Sequence, residues 1–512
     1  MSNNAKASPW SQRPPEEACL MKKMAHVVER EFLFQSTDYE PTLPVTEKSN
    51  PLTRDIDRAS ASSIVKMLQA CDAQMFQEKL LVFFKNSGFN RELQRLNYAP
   101  ICSYVIAGGD RALFSSQEAP EDDPTLGALR LKKVSTIPCL RGKKRVLFIG
   151  VSCGLSAPFV AGQLDFCLRH PDVYTPVLVG FNPCVSLCRN EPLPGCTLTF
   201  RSVVTRMEEL AKTQKAFLIN PALGPEAISG SSRMKGGSAT KILLEVVFSA
   251  SFSRTPVTFK YAQWGYGRAV QKILFVCFSL QCGRQVCYLG WGSLGLLGLI
   301  DASECKPTFG HSELLFPQGP EFSISHDDFL DRVLPRLTDD DAVLLLYSDS
   351  DDVDEVAKLA HRVREKTSNI HGAYHQTDGG TDDINKLCSS TINFTWSQET
   401  PKRLQHMREL STKLLLNAVS TGAHILKGKV FKNYMIDLQV TNSKLYRRAA
   451  RLLQVRIQSD VEMNQHLCVS VVQVVPLALV CLLTGCSIKE AETRLEQQPI
   501  VREAVEACLK SS

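Results

Sequence analysis

The sequence predicts an α/β fold: two successive parallel-sheet units, followed by a helical module. Three observations predict it. Short apolar runs without polar alternation recur along the chain, each followed by small residues and a helix-forming stretch. Such runs suit strands covered on both faces of a parallel sheet. The strand–helix alternation occurs twice over. Finally, Ser238–Glu245 (SATKILLE) is echoed by Leu410–Asn417 (LSTKLLLN), an offset of 412 − 240 = 172 residues, which is a domain-sized period. A tandem duplication explains the echo.

The elements follow in order. The first forty or so residues read as a loose arm. Glu47–Asp57 (EKSNPLTRDID) is a polar turn region leading into an amphipathic helix over Ala61–Gln77. Strands are expected at Lys144–Gly150 (KRVLFIG), Thr175–Phe181 (TPVLVGF) and Lys215–Asn220 (KAFLIN). The second series has strands at Gln285–Trp291, Asp341–Asp349, Asn369–His375 and Ser390–Trp396, with a helix over Val353–Lys366. The echoed segments sit where a helix closes each unit. Leu467–Cys486 is uncharged for about the length that spans a bilayer. It contains Gln473, Pro476 and Gly485, and its first half is β-branched, so a buried strand or turn running into a short helix is expected. Ser487 then caps one helix, and Pro499 separates it from a second that runs to Leu509.

Composition narrows the function classes. The 512 residues carry 59 Lys+Arg against 53 Asp+Glu, so the net charge is 59 − 53 = +6. No clustered excess marks a nucleic-acid coat. At 44% hydrophobic residues, the chain has enough for normal cores. The 18 Cys are scattered, with no CxxC pair and no Cys/His run at zinc spacing, and Cys184 and Cys188 are too isolated to hold a metal. The polar, Pro-containing start does not read as a signal peptide. A reduced compartment, cytoplasmic or nuclear, is expected, with no metal and no other cofactor.

Three constellations bear on chemistry. Ser152-Cys153-Gly154-Leu155-Ser156 follows an apolar strand and places hydroxyls and backbone N–H groups at a helix N-terminus. That is either an anion cradle or an ordinary Ser-capped turn. Asn220–Glu226 and Ser229–Gly237 bring hydroxyls, Arg233 and Lys235 beside another helix start, again a phosphate contact or a capped helix. Two acidic groups complete the set: the Glu118, Glu121, Asp122, Asp123 cluster, and Glu304 after a very apolar segment. A Glu beside an apolar wall can act as an acid or accept from sugar hydroxyls. Either acidic group can also be a solvated loop or a helix-terminal carboxylate. GxxxxGK[ST], a complete GxGxxG after a strand, GxSxG and HExxH are all absent.

Several longer segments resemble one family. They are TEKSNPLTRDID, YVIAGGDR, GLSAPFVAGQ, VLVGFNP, NPALGPEAISGSSRMKGGSATKILLE, DASECKPTFG and LSTKLLLNAVSTGAHILKGKV. In order, from about Thr46 to Leu509, they resemble the glucokinase regulatory protein family and, more distantly, the N-acetylmuramic acid 6-phosphate etherases. The resemblance implies two tandem SIS (sugar isomerase) domains, each a flavodoxin-like parallel sheet with helices on both faces, plus a C-terminal helical lid. The expected division is an arm over 1–60, a first SIS domain over 61–250, a second over 251–430 and the lid over 431–512. The implied role is non-catalytic: inhibition of glucokinase, strengthened by fructose 6-phosphate and weakened by fructose 1-phosphate. An etherase-like lyase, or a truncated product without ligand sensing, is the alternative.

Carried over residue by residue, the resemblance places Ser152, Cys153 and Gly154 in a phosphate-contacting turn. It makes Glu121 and Glu304 sugar contacts and Lys429 a basic contact from the lid side. Asp172 and Val173 match one glucokinase-contacting loop, and Asp383, Ile384 and Asn385 match another. The chain also departs from the family. The strand and Gly-rich loop (roughly SGGGTSGR) that open the first SIS domain are missing before YVIAGGDR. A second stretch is missing between Phe309-Gly310 and Gln318, and Phe252–Phe278 is short and unlike the family. The first SIS domain is therefore expected to be truncated, through an incomplete gene product or degeneration. In the second domain, Trp291 stands where a small residue would let backbone approach phosphate.

Overall fold

The computed structural model describes residues 44–76, 103–114, 117–134, 145–182, 190–252, 284–309, 325–377, 383–396, 401–437, 443–454 and 474–511. The chain enters through three short 3-10 turns whose Thr46, Asn50, Thr53 and Ile56 are buried. The polar turn region is thus packed down by residues three or four apart. Helix α1 (Ala61–Ala73) starts at Ser60, whose hydroxyl accepts from Ser63 N–H, and buries Ile64, Val65, Leu68 and Cys71. It stops short of Gln77 and tightens into a 3-10 turn at Gln74–Phe76.

The first unit runs α2 (Pro124–Val134), β1 (Val146–Val151), α3 (Pro158–Arg169), β2 (Tyr174–Val179), α4 (Phe200–Ala211), β3 (Phe217–Ile219) and α5 (Lys235–Phe252). Its strands are parallel in the order β1-β2-β3. Helices α2 and α3 meet backbone to backbone. A Cβ at Gly162 would lie 1.8 Å from the Pro124 carbonyl oxygen, so only glycine permits this crossing. One face of the sheet packs Val177, Val179 and Phe217 against Ile242, Leu243 and Val247 of α5. The other packs Leu178 against Leu164, Phe200, Val203 and Met207 of α3 and α4.

The second unit runs β4 (Val286–Gly290), α6 (Gly292–Phe309), β5 (Ala342–Ser348), α7 (Val353–Arg364), β6 (Ile370–Gln376), β7 (Ser390–Thr395) and α8 (Pro401–Leu426). Its four strands are parallel in the order β4-β5-β6-β7. The strands expected from the apolar runs are all present, within one or two residues of their expected ends. Matching the units gives β1–α3–β2–β3–α5 against β5–α7–β6–β7–α8. Strand β4 has no counterpart among the described residues of the first unit, as the shortened sequence before YVIAGGDR implies. The other expected departures, around 253–283 and 310–324, lie outside the described residues, as do Cys184 and Cys188.

The echoed helices pack together. Lys241 of α5 pairs with Glu245 on its own helix and with Glu409 of α8. Lys413 of α8 donates to the Arg233 carbonyl oxygen at 3.2 Å. Arg233 itself is buried between the units. It donates to Asp301 at 3.0 Å, Ser420 at 3.2 Å and Thr421 at 2.7 Å, and lies over the Phe309 ring.

A hairpin that the sequence reading did not anticipate precedes the lid helices: β8 (Val430–Phe431) and β9 (Tyr434–Met435). Its turn holds Lys432 at φ 56 and buries Asn433. Asn433 Nδ2 donates to the Asn50 carbonyl at 3.0 Å and to Thr53 Oγ1 at 3.2 Å, stitching the entry segment to the lid. The lid continues as α9 (Ser443–Gln454), α10 (Val474–Thr484), α11 (Ile488–Gln497) and α12 (Val501–Ser511). Helix α11 opens on the expected Ser487 cap, closed reciprocally by Glu490. The uncharged stretch forms α10, a short buried helix, while 467–473 lie outside the described residues. No described helix is long and apolar enough to cross a membrane.

Candidate functional site

The turn after β1 is fixed from below. Ser152 Oγ accepts from the N–H groups of Ser156 (3.1 Å) and Ala157 (3.2 Å). Two donors at the α3 start are therefore capped by protein, so part of the anticipated anion cradle is already used. Asn182 Nδ2 donates to the Gly154 carbonyl at 2.9 Å, and Asn182 Oδ1 accepts from Thr46 N–H at 3.3 Å. The Thr46 hydroxyl, 3.8 Å from where a Gly154 Cβ would stand, is enclosed without a hydrogen-bond partner among the described residues. A side chain at Gly154 would close this space. Burial, with Glu226 nearby, pushes the Cys153 thiol up to about 12, so it is a neutral thiol and not a nucleophile.

The lid closes over this turn by charge. Lys444 of α9 pairs with Glu121 at 2.9 Å and Glu118 at 3.2 Å. Its charge also reaches Cys153. One turn further along α9, Arg448 makes two hydrogen bonds to Glu47, at 2.7 and 3.0 Å. Burial alone would raise the Glu47 carboxyl, but Arg448 outweighs it and holds Glu47 below the ordinary range. Arg447 pairs with Glu191 at 3.3 Å. Three successive cations of one lid helix thus hold acidic groups from three segments of the first half.

Behind the turn lies a buried polar cluster. Glu226 accepts from the N–H groups of Lys235 (2.8 Å) and Gly236 (2.9 Å), capping α5 from a distant loop. Burial raises its carboxyl to about 7 against those hydrogen bonds. Burial and the nearby Glu226 raise Asp72 likewise to about 7. The Lys235 ammonium, lowered by burial, donates to Gln74 Oε1 at 2.7 Å and the Pro225 carbonyl at 2.8 Å. Of the two readings left open for this block, the structure gives the capped helix, with Lys235 used internally and Arg233 used between the units.

Glu304 of α6 comes from the second unit. Burial raises its carboxyl, against Lys413 and Arg233, and Glu118 is within electrostatic reach. Its Oε2 is enclosed without a hydrogen-bond partner among the described residues. The structure therefore brings Ser152–Gly154, Glu121 and Glu304 into one neighbourhood. It places Lys429 otherwise: the ammonium just past α8 pairs with Asp437. The lid cation beside Glu121 is Lys444. Sequence reasoning missed Lys444, Lys413 and Asp72, and it quoted Glu226 without a role.

The turn after β5, which corresponds to it, is filled by protein: Ser348 N–H and Oγ each donate to Asp351 Oδ2 at 2.8 Å, and Arg408 bonds Asp349 and Ser350. The turn after β4, which has no counterpart among the described residues of the first unit, is filled as well. Ser293 Oγ accepts from Gln405 Nε2 at 2.6 Å. The Trp291 ring is directed into the core with Phe329 and Tyr347 and meets the His326 ring at 4.5 Å, tilted by 51°. Its bulk is therefore absorbed by packing, and the groups that occupy the turn are Gln405 and its neighbours. Of the loops matched to glucokinase contact, Asp172 and Val173 are exposed at the start of β2. Asp383–Lys386 forms a 3-10 turn with Asn385 half-buried. Ile384 is only 1% exposed and packs in the core with α7, so it anchors this loop from inside.

Known proteins match this arrangement along nearly its whole length. The chain is 38% identical to a glucokinase regulatory protein of Xenopus laevis over 609 aligned positions, covering 95% of this chain and 97% of that one. The chain belongs to the glucokinase regulatory protein family. The family's N-terminal SIS domain matches residues 80–168, its second SIS domain 311–427, and its C-terminal lid domain 432–472 and 456–505. The human glucokinase regulatory protein is 37% identical over 95% of this chain and 96% of its own length. An N-acetylmuramic acid 6-phosphate etherase of Vibrio atlanticus (strain LGP32) is 30% identical over 47% of this chain and 81% of its own. The Xenopus alignment is longer than the chain, so at least 609 − 512 = 97 of its positions are gaps opposite this sequence. Two SIS domains and a lid are thus present, with internal segments missing relative to the family.

Proposed function

We propose that this chain binds and inhibits glucokinase, and that fructose phosphates set the strength of inhibition through the site under α9. The observation that carries the reading is the Lys444–Glu121–Glu118 contact over the Ser152–Gly154 turn. A sugar phosphate entering there competes for Lys444 with two carboxylates and touches sheet unit and lid together. A ligand that favours one lid position then shifts the equilibrium toward it, by as much as its differential affinity allows. Fructose 6-phosphate favours the glucokinase-binding arrangement and fructose 1-phosphate the other. Asp172, Val173, Asp383 and Asn385 form the partner contact, with Ile384 as the internal anchor. The protein acts in cytoplasm and nucleus without a cofactor and without catalysis.

Glucokinase rate, measured against increasing chain, tests this. Inhibition that deepens with fructose 6-phosphate and is relieved by fructose 1-phosphate is the expected result. A cooperatively folded chain that leaves the rate unchanged would overturn it. Two buried carboxylates titrating near neutrality, Glu226 and Asp72, favour a lyase as second reading. Lactate release from N-acetylmuramic acid 6-phosphate would establish that reading instead. Both groups are tied to the α5 start and Lys235, which supports the regulatory role.

A further inference from the structure

We propose that α5 and α8 carry a site for one divalent transition-metal ion, formed by Glu245, His406 and Glu409, that clips the two sheet units together. The three residues come from both units: Glu245 from the helix closing the first, His406 and Glu409 from the helix closing the second. One ligand atom from each lies within 4.8 Å of the others. Glu245 is 7% exposed, and its Oε2 has no hydrogen-bond partner among the described residues. Both ring nitrogens of His406 are likewise enclosed without one. His406 Nδ1 stands 3.6 Å from Glu245 Oε1, too far for a hydrogen bond. Enclosed polar atoms are normally satisfied, so an orphan carboxylate oxygen on Glu245 and an orphan ring nitrogen of His406 in one cluster call for a ligand.

The donor set selects its class. One imidazole and two carboxylates suit zinc, cobalt or nickel better than calcium or magnesium, which favour oxygen alone. Metal–ligand bonds of about 2.0–2.2 Å place tetrahedral donors roughly 3.4 Å apart, so no pair of donors has to close by more than about 1.4 Å on loading. Lys241 occupies the other side. Its ammonium bonds Glu245 Oε1 and Glu409 Oε2, while Gln405 Nε2 donates to Glu409 Oε1 at 3.1 Å. The lysine holds the two carboxylates together in the metal-free protein and is the cation that the metal displaces. Lys241 offsets only one of the two carboxylates, Glu245 and Glu409, so the cluster still attracts a dication. Removing Lys241 must tighten metal binding, which a purely structural ion-pair cluster does not predict.

Cobalt(II) titrated into the full chain, with thiols alkylated beforehand, reads the site through its visible d–d absorption. One equivalent is expected to bind and to raise the thermal midpoint. His406→Ala and Glu245→Gln are expected to weaken binding at least tenfold, and Lys241→Ala to strengthen it. His406→Gln serves as a second variant that keeps the side-chain volume. The proposal is overturned if the folded wild-type chain takes up no cobalt, or if neither His406 variant, folded by circular dichroism, changes its affinity.

Discussion

The two sheets of this molecule share a plan but differ in completeness. In the second, β5 lies between β4 and β6, and all seven of its residues are buried. In the first, the equivalent β1 is hydrogen-bonded only to β2 among the described strands, and of its six residues only Gly150 is fully buried. Yet the candidate ligand site sits on the first sheet, where the lid cations gather. The complete sheet has the equivalent turn, after β5, filled by Asp351 and Arg408. The difference teaches that site and scaffold have separated: the second unit supplies the packed core, and the first supplies an open turn that the lid and Glu304 complete.

The strongest way to break this comparison is to cut the joint. Arg233 and Asp301 are each about 5% exposed and span the two units. Arg233→Ala strands a buried carboxylate and is expected to cost about 3–5 kcal/mol. Denaturant unfolding should then separate into two steps, the first sheet melting before the second. A single transition at the wild-type midpoint would contradict it.

Core truncation sharpens the comparison. Leu345→Ala, at a wholly buried β5 position, should cost roughly 2–5 kcal/mol. Ile149→Ala, at a half-buried β1 position, should cost about half of that, since less apolar surface leaves water there. Equal losses in urea titrations would show that β1 is as well covered as β5.

The two halves also carry opposite pH linkage. Glu226 and Asp72 are raised to about 7, so the native state holds protons that the unfolded chain has released. Their contribution is present below the ordinary carboxylate range and is lost as pH rises through 7. In the second half, burial lowers His371 to about 4 and His375 to about 3. Trp396 Nε1 donates to His375 Nδ1 at 3.2 Å, and Nε2 meets Thr412 Oγ1 at 2.8 Å, so both contacts fit the neutral ring. That stability is present above 6.5 and is lost as pH falls. Relative to wild type, Glu226→Gln should gain thermal midpoint as pH rises from about 4.5 to 7, and His375→Gln as pH falls below 6. Parallel profiles would refute the assignment.

The smallest stability effect is expected at Lys444→Ala. Its side chain is more than one-third exposed, so the ion pairs add about 0–1 kcal/mol. Ligand affinity should nevertheless drop about tenfold or more by calorimetry with fructose phosphates, whereas Lys429→Ala should leave it near wild type.

Much of the fold was legible because buried parallel strands need unbroken apolar runs, and KRVLFIG, TPVLVGF and DAVLLLYSD supply them. The echo of SATKILLE in LSTKLLLN likewise marked two helices that pack together. The site was legible only where a local motif carries it, as at Ser152–Gly154. Lys444 reaches Glu121 across 323 residues, and Arg448 reaches Glu47 across 401. Neither pairing leaves a trace in spacing. The hairpin at Val430–Met435 was missed because two-residue strands have no period to read, and its signal is a buried Asn433 with distant partners.

The central claim is that the incomplete first unit still binds a sugar phosphate under the lid. Thermal unfolding with and without saturating fructose 6-phosphate or fructose 1-phosphate, on wild type and Glu121→Gln, tests it most directly. Ligand at about a hundred times its dissociation constant adds roughly 2.7 kcal/mol. The account predicts a raised midpoint in wild type that shrinks in Glu121→Gln. A cooperative transition that neither sugar phosphate moves would contradict it.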